Sequence, residues 1–535
     1  MGLYADYPVT DNVFDEMIAD AQGTVRTPYA RLGKAFESMD FEELQQRAEY
    51  MSNSYRNQGV TFDVGGEERP FPLDIVPRII AEKDWRVAEA GVKQRVKALE
   101  MFLDDIYGPG RVFIDQVMPR HVITSSPYFY RQAFGIHTPN GVRIHVAGID
   151  LVRDGEGTFR VLEDNIRIPS GVSYVLTNRR SMGAGMPEVT SAHAIQPVSE
   201  YPHKLLHALI AAAPSGITQP TIAVLTPGPY NSAYFEHSLL ARMMGCELVE
   251  GRDLVARGGR VMIRTTQGLR PVHVIYRRVD DDYLDPVAFR RDSVLGCAGI
   301  LNAARAGNVT IANAIGNGVA DDKLLYTYVP DLIRYYLAEE PIVPNVDTWR
   351  LEDPESREEV LDRLDELVVK PVDGSGGKGI VIGPKATREE LDTLRATILA
   401  SPRGWVAQPV VQLSTVPTMT DQGLRPRHVD LRPFAINSGE DVWVLPGGLT
   451  RVALQEGQLI VNSSQGGGSK DTWVLSGDGR RGRVSSPRAP VPRESAEPQS
   501  HQSLAHADKQ EQQQPQQQSG PATVGPKPRS GALRC

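Results

Sequence analysis

The chain has 535 residues, a formal net charge of −8 and 41% hydrophobic residues, so it can form two or three lobes with their own cores. The absence of a basic excess argues against a nucleic-acid partner. Its three cysteines have neither metal-site nor disulfide-framework spacing. The sequence contains no signal-peptide pattern and no apolar run of membrane-spanning length. We therefore expect a cytoplasmic protein that does not bind a membrane.

The first part of the chain predicts mainly helices. Residues 1–70 are polar helices and turns, which we expect to form a helical N-terminal region. From Phe71 to Ile106 the apolar residues keep helical spacing, which predicts one long packing helix. Arg131 follows shortly after and could contribute a positive charge to the acidic hairpin that comes next.

The segment 143–165 predicts a β-hairpin with an acidic face. One apolar run contains Asp150, a polar turn follows, and a second run ends in Glu163-Asp-Asn165. Glu163 and Asn165 point to the same face because side chains alternate along a strand, and Asp150 would lie on the neighbouring antiparallel strand. Hard cations prefer such oxygen ligands. A solvated acidic edge is the alternative interpretation.

Residues 215–320 alternate between strand and helix patterns, which is typical of an α/β segment. The run from Thr221 predicts a strand, 232–244 a helix, and 246–250 and 272–276 further strands. The sequence Thr226-Pro-Gly-Pro-Tyr-Asn-Ser ends the first strand, where α/β sheets usually bind ligands. A substrate loop and a simple turn are equally good interpretations of it.

The segment 367–382, Leu-Val-Val-Lys-Pro-Val-Asp-Gly-Ser-Gly-Gly-Lys-Gly-Ile-Val-Ile, predicts a nucleotide-phosphate loop between two strands. Glycines leave backbone N–H groups open to phosphate oxygens. A Rossmann turn would open a helix, a Walker A loop would end in Ser or Thr, and a kinase would place its lysine after the loop. An ordinary glycine-rich hairpin is the alternative. The candidate nucleotide-binding residues are Lys370, Gly374, Ser375, Gly376, Gly377, Lys378 and Gly379.

Three later segments complete the pattern. A strand at 405–411 carries Gln408, which could face a base, and an alternating strand at 428–436 puts Asp430 and Arg432 on one face. Arg451 follows in the next apolar run. Residues 477–535 are rich in Pro, Ser and Gln and predict a disordered tail, whose arginines could contact an anionic protein partner.

The order of these motifs resembles the ATP-grasp superfamily of carboxylate–amine ligases. In that family an acidic residue and a Glu-x-Asn pair that hold magnesium follow the last Gly-Gly segment, whereas here Asp150 and Glu163-x-Asn165 come first. The chain therefore resembles the circularly permuted ATP-grasp family, which includes glutathionylspermidine synthetase. The stretches 163–174 and 318–323 are similar to bacterial members whose substrate is unassigned. The resemblance covers about residues 70–475.

This resemblance implies an α/β fold with α+β lobes. We expect magnesium-ligand strands over about 140–180, a pre-ATP-grasp-like α/β segment over about 215–320 and a nucleotide-binding lobe over about 321–476. Together these form a region over 71–476, between the N-terminal region 1–70 and the tail 477–535.

The resemblance also implies ATP and Mg²⁺ as cofactors. Asp150, Glu163 and Asn165 would hold the metal, because their spacing matches the family's, and Lys323 and Lys370 would bind phosphate. Arg432 and Arg451 would stabilise the transferring phosphoryl group. A small-molecule or peptide carboxylate would become an acyl phosphate, which an amine then attacks. One departure is Gly148, since glutathionylspermidine synthetase has an arginine there. A phosphotransferase and a catalytically silent binding protein are the alternatives.

Overall fold

Five sheets organise the residues that the computed structural model describes, which are 7–10, 12–64, 67–374, 378–459, 461 and 467–477. The strands, in chain order, are β1 (Thr61–Val64), β2 (Glu67–Pro70), β3 (Leu73–Ile80), β4 (Val146–Arg153), β5 (Phe159–Asn165), β6 (Ile222–Leu225), β7 (Glu247–Val249), β8 (Leu254–Arg257), β9 (Arg260–Thr265), β10 (Gly268–Val272), β11 (Val274–Arg277), β12 (Thr310–Ala312), β13 (Trp349–Arg350), β14 (Leu367–Pro371), β15 (Val381–Ile382), β16 (Trp405–Pro409), β17 (Thr415–Thr420), β18 (Gly423–Arg432), β19 (Phe434–Asn437), β20 (Val442–Val444), β21 (Leu449–Val452) and β22 (Gly468–Val474).

Helices cover these sheets and connect them. They are α1 (Ala30–Glu37), α2 (Phe41–Asn57), α3 (Glu82–Ile106), α4 (Arg111–Ile114), α5 (Arg120–Thr124), α6 (Val172–Gly185), α7 (Pro187–Ala192), α8 (Tyr201–Ala211), α9 (Tyr234–Met244), α10 (Asp281–Leu284), α11 (Ile300–Arg305), α12 (Lys323–Tyr326), α13 (Val329–Leu337), α14 (Pro354–Asp362) and α15 (Arg388–Ala400). None of the helices in the described ranges is long and apolar enough to cross a membrane.

The largest sheet joins the acidic hairpin to the strands from the far end of the chain. Its order is β20–β19–β4–β18–β21–β22–β3, with β5 paired to β4 and β17 paired to β18. The predicted hairpin is confirmed, because β4 and β5 are antiparallel neighbours. The strand that carries Asp430 and Arg432 lies directly beside β4. Residues nearly 300 positions apart in the sequence therefore share one surface of this sheet.

The prediction of a single helix from Phe71 to Ile106 is wrong in its first part. Leu73–Ile80 is β3, which pairs in parallel with β22, and the helix begins only at Glu82. The β-branched residues of this segment favour a strand, and Pro77 disfavours a helix interior. The register of β3 against β22 shifts between Lys470 and Thr472. β3 is an end strand of the sheet order, a place where proline is tolerated.

The helical part of that segment packs as expected from its spacing. Trp85, Val92, Leu99 and Ile106 recur every seven residues along α3, and each is at most 3% exposed. Burying each such side chain contributes about 1.5–3 kcal/mol of transfer free energy. Helix α3 thereby contacts α13 and the edge of the large sheet at β20.

The middle of the chain forms the predicted α/β unit. Strands β12, β11, β6 and β7 make a parallel sheet in that order. Strands β12, β11 and β6 are buried throughout, as expected for strands covered on both faces, whereas the edge strand β7 is buried only at Val249. Helix α9 covers most of the helix predicted at 232–244. The carboxyl ends of these strands carry the segments that follow Leu225, Arg277 and Ala312.

The predicted strand–glycine loop–strand arrangement is also confirmed. Strands β14 and β15 are antiparallel, and β16 pairs with the other side of β14. The next helix, α15, begins after Thr387, whose side chain accepts a hydrogen bond from the N–H of Glu390 in a capping box. A strand rather than a helix therefore follows the glycine loop, which excludes a Rossmann turn.

The N-terminal region contains α1 and α2 and also the β1–β2 hairpin. Its first residues contact the large sheet. The Glu16 carboxylate accepts a hydrogen bond from Arg78 Nε at 2.9 Å, and both side chains are buried. At the other end of the chain, Ser476 donates from its backbone N–H to Ala194. The predicted disordered tail lies outside the described residues from 478 onward.

Candidate active site

The three predicted metal ligands meet at the start of the acidic hairpin. Asp150 is opposite Glu163 and Gly148 is opposite Asn165 in the β4–β5 register. The register shifts between Asp150 and Leu151. Asn165 Nδ2 lies 3.4 Å from Asp150 Oδ1. The alternation of side chains along β5 places Glu163 and Asn165 on the face where Asp150 lies.

Two arginines from the end of the chain bind Asp150. Arg432 Nη2 donates to Asp150 Oδ2 at 2.7 Å while its Nε donates to Oδ1. Arg451 Nη2 donates to Asp150 Oδ2 at 2.6 Å. Arg432 Nη2 is also 3.7 Å from Glu163 Oε1. The structure therefore brings both predicted arginines to the predicted metal ligands.

These arginines change the acidity of Asp150, which is fully buried. Burial by itself raises the pKa of a carboxyl group because it disfavours the charged form. The positive charges and hydrogen bonds of Arg432 and Arg451 outweigh that effect and hold the pKa of Asp150 well below its usual range. Asp150 is therefore a carboxylate throughout the physiological pH range and can act as an oxygen ligand.

Gly148 has a steric role beside Arg432. A Cβ at this position would lie 3.2 Å from Arg432 Cδ and 3.0 Å from Pro169 Cβ. Contacts this short are tighter than a side chain normally makes, so the glycine leaves the room that Arg432 occupies. At the position where glutathionylspermidine synthetase has an arginine, this chain thus has a glycine that accommodates an arginine from the neighbouring strand.

Lys370 and Gln408 lie side by side on β14 and β16. Gln408 is opposite Val368 in the register, and Lys370 Nζ donates to Gln408 Oε1 at 2.6 Å. Gln408 Nε2 donates in turn to Thr348 Oγ1 at 2.9 Å. Burial lowers the pKa of Lys370 to about 8, an effect that Glu163 opposes and Lys323 reinforces. This pKa is close enough to neutral pH that a bound anion would determine whether the Lys370 amine is protonated.

Lys323 links the metal hairpin to the glycine loop. It is the first residue of α12, whose N-cap Asp322 accepts a hydrogen bond from the N–H of Leu324. Lys323 Nζ donates to the carbonyl oxygen of Gly374 and lies 3.7 Å from Glu163 Oε2. One side chain therefore contacts both halves of the predicted site.

Part of the glycine loop can be described. Gly379 has a φ of +73°, which L side chains adopt rarely and glycine adopts at no steric cost. Lys378 is exposed and, with Gly374, borders the cleft between the two halves. The candidates Ser375, Gly376 and Gly377 lie outside the described residues.

One cleft collects most of the predicted residues. It lies between the acidic hairpin β4–β5 and the sheet that contains β14 and β16, and its apolar walls include Leu162, Val368, Ile382, Leu413 and Val461. Its polar lining consists of Asp150, Glu163, Lys323, Lys370, Lys378, Gln408, Asp430 and Arg451. Apolar walls with a few convergent charges are typical of a small-molecule site.

Arg131 is placed differently from the other candidates. It lies in a short 3₁₀ helix, Arg131–Ala133, and is exposed. It is neither among the residues that line the cleft nor among the hydrogen-bond partners of Asp150, Glu163 and Asn165. Two positive charges beside Asp150 come instead from the strands of the large sheet.

Sequence reasoning left Asp430 out of the candidate site. Arg451 Nε donates to both oxygens of Asp430 at 3.0 Å, and Asp430 is 1% exposed. The signal that could have found it is the alternation that puts Asp430 and Arg432 on one face of β18. His145 and His428, which lie beside the motifs in the sequence, are not among the residues that line the cleft. Burial lowers the pKa of His145 to about 4, so it is neutral.

The donor set fits magnesium. In the described part of the chain, no three His, Cys, Asp or Glu side chains form a metal cluster. The site offers two carboxylates, of Asp150 and Glu163, and the amide oxygen of Asn165. Mg²⁺ usually keeps several waters and shares phosphate oxygens, so two carboxylates and an amide are an adequate protein contribution. The lysines of the cleft, Lys323, Lys370 and Lys378, would complement the charge of a phosphate.

A comparison with known families agrees with this geometry. The model of the circularly permuted ATP-grasp type 2 family matches residues 77–453, which include all three candidate metal ligands, both lysines and both arginines. The chain belongs to the circularly permuted ATP-grasp type 2 family. The match ends just after Arg451 and begins within β3.

Its relatives come from several bacteria. An uncharacterized protein of Mycobacterium tuberculosis is 59% identical over 474 residues, covering 89% of this chain and 86% of its own. An uncharacterized protein of Synechocystis is 51% identical over 470 residues, covering 87% and 98%. A Frankia casuarinae protein named as a candidate glutamate–cysteine ligase is 46% identical over 465 residues, which are 86% of this chain but 53% of that protein.

The fold is shared with a solved structure of a glutathione synthetase-like effector from Globodera pallida. The TM-score is 0.55, and the superposition covers 82% of this chain and 98% of that one. At 11% sequence identity, the similarity is one of fold alone. It agrees with the mixed α/β architecture predicted from the motif order.

Proposed function

We propose that this protein is an ATP-dependent carboxylate–amine ligase that forms an amide or peptide bond through an acyl phosphate. The observation that carries the proposal is the convergence of two opposite sets of charges on one cleft. Asp150 and Glu163 face it from the metal hairpin, and Lys323 and Lys370 face it from the nucleotide side. Such an arrangement suits a triphosphate with its metal.

The cleft residues divide the work of holding the nucleotide. Lys370 and Lys323 bind phosphate oxygens as cations, and Gly374, which borders the cleft beside them, would leave its backbone open to phosphate. Gln408, whose amide is hydrogen-bonded to Lys370 and Thr348, would face the base from the same strand pair. Magnesium, held by the carboxylates and by Asn165, supplies charge neutralisation of the phosphates. The apolar walls exclude water from this part of the cleft, which strengthens each of these interactions.

Arg432 and Arg451 stabilise the negative charge of the phosphoryl group during transfer. Arg432 lies on β18 and Arg451 on β21 of the large sheet, and both guanidinium groups bind Asp150 of β4. A guanidinium has five N–H donors in a rigid fork and stays charged. It can therefore replace its hydrogen bonds to a carboxylate by hydrogen bonds to phosphate oxygens. Positioning and charge neutralisation carry most of the rate in phosphoryl transfer.

The substrate carboxylate attacks the γ-phosphorus and releases ADP, and an amine then displaces phosphate from the acyl phosphate. This sequence requires no serine or cysteine nucleophile, and no such residue lines the described part of the cleft. The name of the Frankia relative, a candidate glutamate–cysteine ligase of which this chain spans 53%, belongs to amide-forming chemistry and supports the proposal.

The test is an untargeted search for the product. The purified protein is incubated with ATP, Mg²⁺ and pooled metabolites, and mass spectrometry looks for condensed products that have lost one water. Glu163→Gln should abolish them, while Glu156→Gln in the exposed turn of the same hairpin should not. ADP released without any amine, together with a phosphorylated metabolite, would instead identify a phosphotransferase. Absence of nucleotide turnover in every pool would contradict the proposal.

We also propose the domain division 1–70, 71–476 and 477–535, with the nucleotide-binding lobe over about 321–476.

The described cysteines, Cys246 and Cys297, are unpaired, which suits the reducing cytoplasm that the composition predicts. A protein partner for the tail remains a prediction. It would be tested by comparing partners captured from lysate by the full chain and by a chain that lacks the tail.

A further inference from the structure

Arg167 is a largely buried arginine that has ion pairs but makes no side-chain hydrogen bond to the described residues. It lies two residues beyond Asn165, and its guanidinium carbon is 4.7 Å from the centre of the Tyr128 ring. Its Nε forms ion pairs with Asp280 Oδ1 at 3.4 Å and with Asp321 Oδ2 at 3.6 Å. The Nε is buried without a hydrogen-bond partner. No hydrogen bond from its two terminal nitrogens occurs to the described residues.

Other buried arginines of this protein are bound much more completely. Arg95 donates to both oxygens of Asp164, at 2.6 and 2.7 Å, and to Asn345 at 2.8 Å. Arg277 donates to three backbone carbonyl oxygens at 2.9 to 3.1 Å. A buried guanidinium without hydrogen bonds is costly, so structural arginines acquire them. The arrangement around Arg167 holds the charge in place but leaves its donors for something else.

Asp280 faces Arg167 and, like it, has a buried polar atom without a hydrogen-bond partner. It is 8% exposed, and neither of its carboxylate oxygens accepts a hydrogen bond in the described part of the chain. It follows β11, at the carboxyl end of the parallel sheet, which is the edge where α/β sheets bind ligands. Its neighbour Asp282 is exposed and hydrogen-bonds Tyr130. A cation and an anion, both lacking hydrogen bonds, thus lie next to each other at a ligand-binding edge.

This pair is tied to the candidate active site but lies outside the nucleotide cleft. Tyr128, under Arg167, donates from its hydroxyl to the carbonyl oxygen of Asp373 at 2.8 Å, directly before Gly374. Asp321 Oδ1 accepts from the N–H groups of Ile166 and Arg167, at 2.6 and 3.2 Å. Neither Arg167 nor Asp280 lines the cleft. The pair therefore lies beside the acidic hairpin and the start of the glycine loop without lining the cleft itself.

We infer that Arg167 and Asp280 bind the acid substrate and that this substrate is an amino acid. Arg167 takes a carboxylate of the substrate on its terminal nitrogens, in the bidentate geometry that a guanidinium favours. Asp280 takes the ammonium group of the same molecule. An adjacent cation and anion complement a small zwitterion, whereas a simple carboxylic acid would leave Asp280 unsatisfied. This inference rests on the proposed ligase activity, because it assigns the substrate of the same site.

The experiment replaces the unknown amine by hydroxylamine, which displaces phosphate from an acyl phosphate and gives a hydroxamate. The full chain is incubated with ATP, Mg²⁺, hydroxylamine and each of the twenty L-amino acids in turn, and the hydroxamate is measured. We expect product from at least one amino acid. Arg167→Gln should raise the KM for that amino acid roughly 10- to 100-fold, the range expected for losing a hydrogen bond to a charged group.

Three controls separate substrate binding from folding and nucleotide binding. Arg167→Gln should keep the thermal stabilisation by Mg²⁺ and a non-hydrolysable ATP analogue. Arg160→Gln removes an arginine of the same hairpin whose partner is Asp154 in the turn, and should leave the KM unchanged. Arg167→Lys keeps the charge but loses the fork, and should give an intermediate KM if the enzyme tolerates it. Any of these variants that unfolds would show no nucleotide stabilisation.

Asp280→Asn tests the ammonium contact. The wild type should prefer the responding amino acid over the same acid without its amino group, and the variant should lose that preference. Several results would overturn the inference. They are an unchanged KM in Arg167→Gln, a loss of nucleotide stabilisation in that variant while its circular dichroism stays native, an unchanged preference in Asp280→Asn, and no hydroxamate from any amino acid. In the last case normal nucleotide stabilisation would leave the proposed function standing, whereas its absence would overturn both.

Discussion

Arg451 binds Asp150 across 301 positions of sequence, with Nη2 2.6 Å from Oδ2, while its Nε binds Asp430 at 3.0 Å. One guanidinium therefore bridges two buried carboxylates, and Arg432 supplies a second positive charge at Asp150. These buried charges stabilise one another, because removing one partner leaves another buried and unpaired.

Arg451→Met should therefore lower the free energy of unfolding by about 3–5 kcal/mol, the usual cost of an unpaired buried charge. Urea denaturation followed by circular dichroism would measure it. Adding Asp430→Asn should recover part of the loss, because the second carboxylate no longer requires the arginine. An unfolding curve for Arg451→Met that coincides with that of the wild type would contradict this account of the cluster.

Glu163→Gln and Asn165→Ala should each remove magnesium-dependent nucleotide turnover while leaving the fold intact. Both side chains are only partly buried, so their loss costs little stability, but the phosphates become under-neutralised in the transition state. ADP release measured against Mg²⁺ concentration is the assay, with circular dichroism as the control for folding. Full turnover in both variants would place the metal elsewhere and undo the assignment of the permuted hairpin.

Lys370→Ala should weaken ATP binding by on the order of 1.5–3 kcal/mol, the range for hydrogen bonds to charged groups. The thermal stabilisation by ATP should shrink with it. Lys385, an exposed lysine that donates to the carbonyl oxygen of Gly457, offers a matched control, and Lys385→Ala should bind ATP normally. If ATP stabilised Lys370→Ala as much as the wild type, the lysine would serve only the contact with Gln408.

The pKa of Lys370 predicts a pH dependence of ATP binding. Burial lowers that pKa to about 8, and phosphate would raise it again, so the protonated form binds. The affinity for ATP should be highest below a pH of about 8. Above it the affinity should fall by up to about tenfold per pH unit, because the Lys370 amine must take up one proton on binding. Lys370→Arg should flatten the profile, since arginine does not titrate in this range. Calorimetric titration across this range would detect the difference, and equal slopes for both proteins would contradict the assignment.

A chain ending at Leu475 should fold, bind ATP and turn over like the full chain, because every assigned residue precedes that point. Limited proteolysis of the full chain should first remove the segment after Gly477, at its arginines. A chain ending at position 467 is the contrasting case. It lacks β22, whose residues are all buried and pair with both β21 and β3, and it should not fold. Loss of nucleotide binding with native circular dichroism in the longer chain would make the tail part of the site.

Several features of the site could be predicted from short stretches of sequence. The alternation along β5 put Glu163 and Asn165 on one face, and the apolar runs around the glycine loop specified two strands rather than a strand and a helix. These are properties of neighbouring residues, since side-chain period and turn chemistry act over a few positions. The order of such motifs was enough to identify the permuted family.

Other features depended on which strands become neighbours, and only the tertiary structure decided them. Leu73–Ile80 became a strand because it could pair with β22, nearly 400 residues later, although helical spacing begins just after it. Arg432 binds Asp150 and fills the space beside Gly148 because β18 and β4 are adjacent in one sheet, whereas Arg131, closer in sequence, lies exposed on a short turn. Pairing over such distances is stabilised by the burial of whole strands and by ion pairs that form in a low-dielectric interior. No local pattern contains that information.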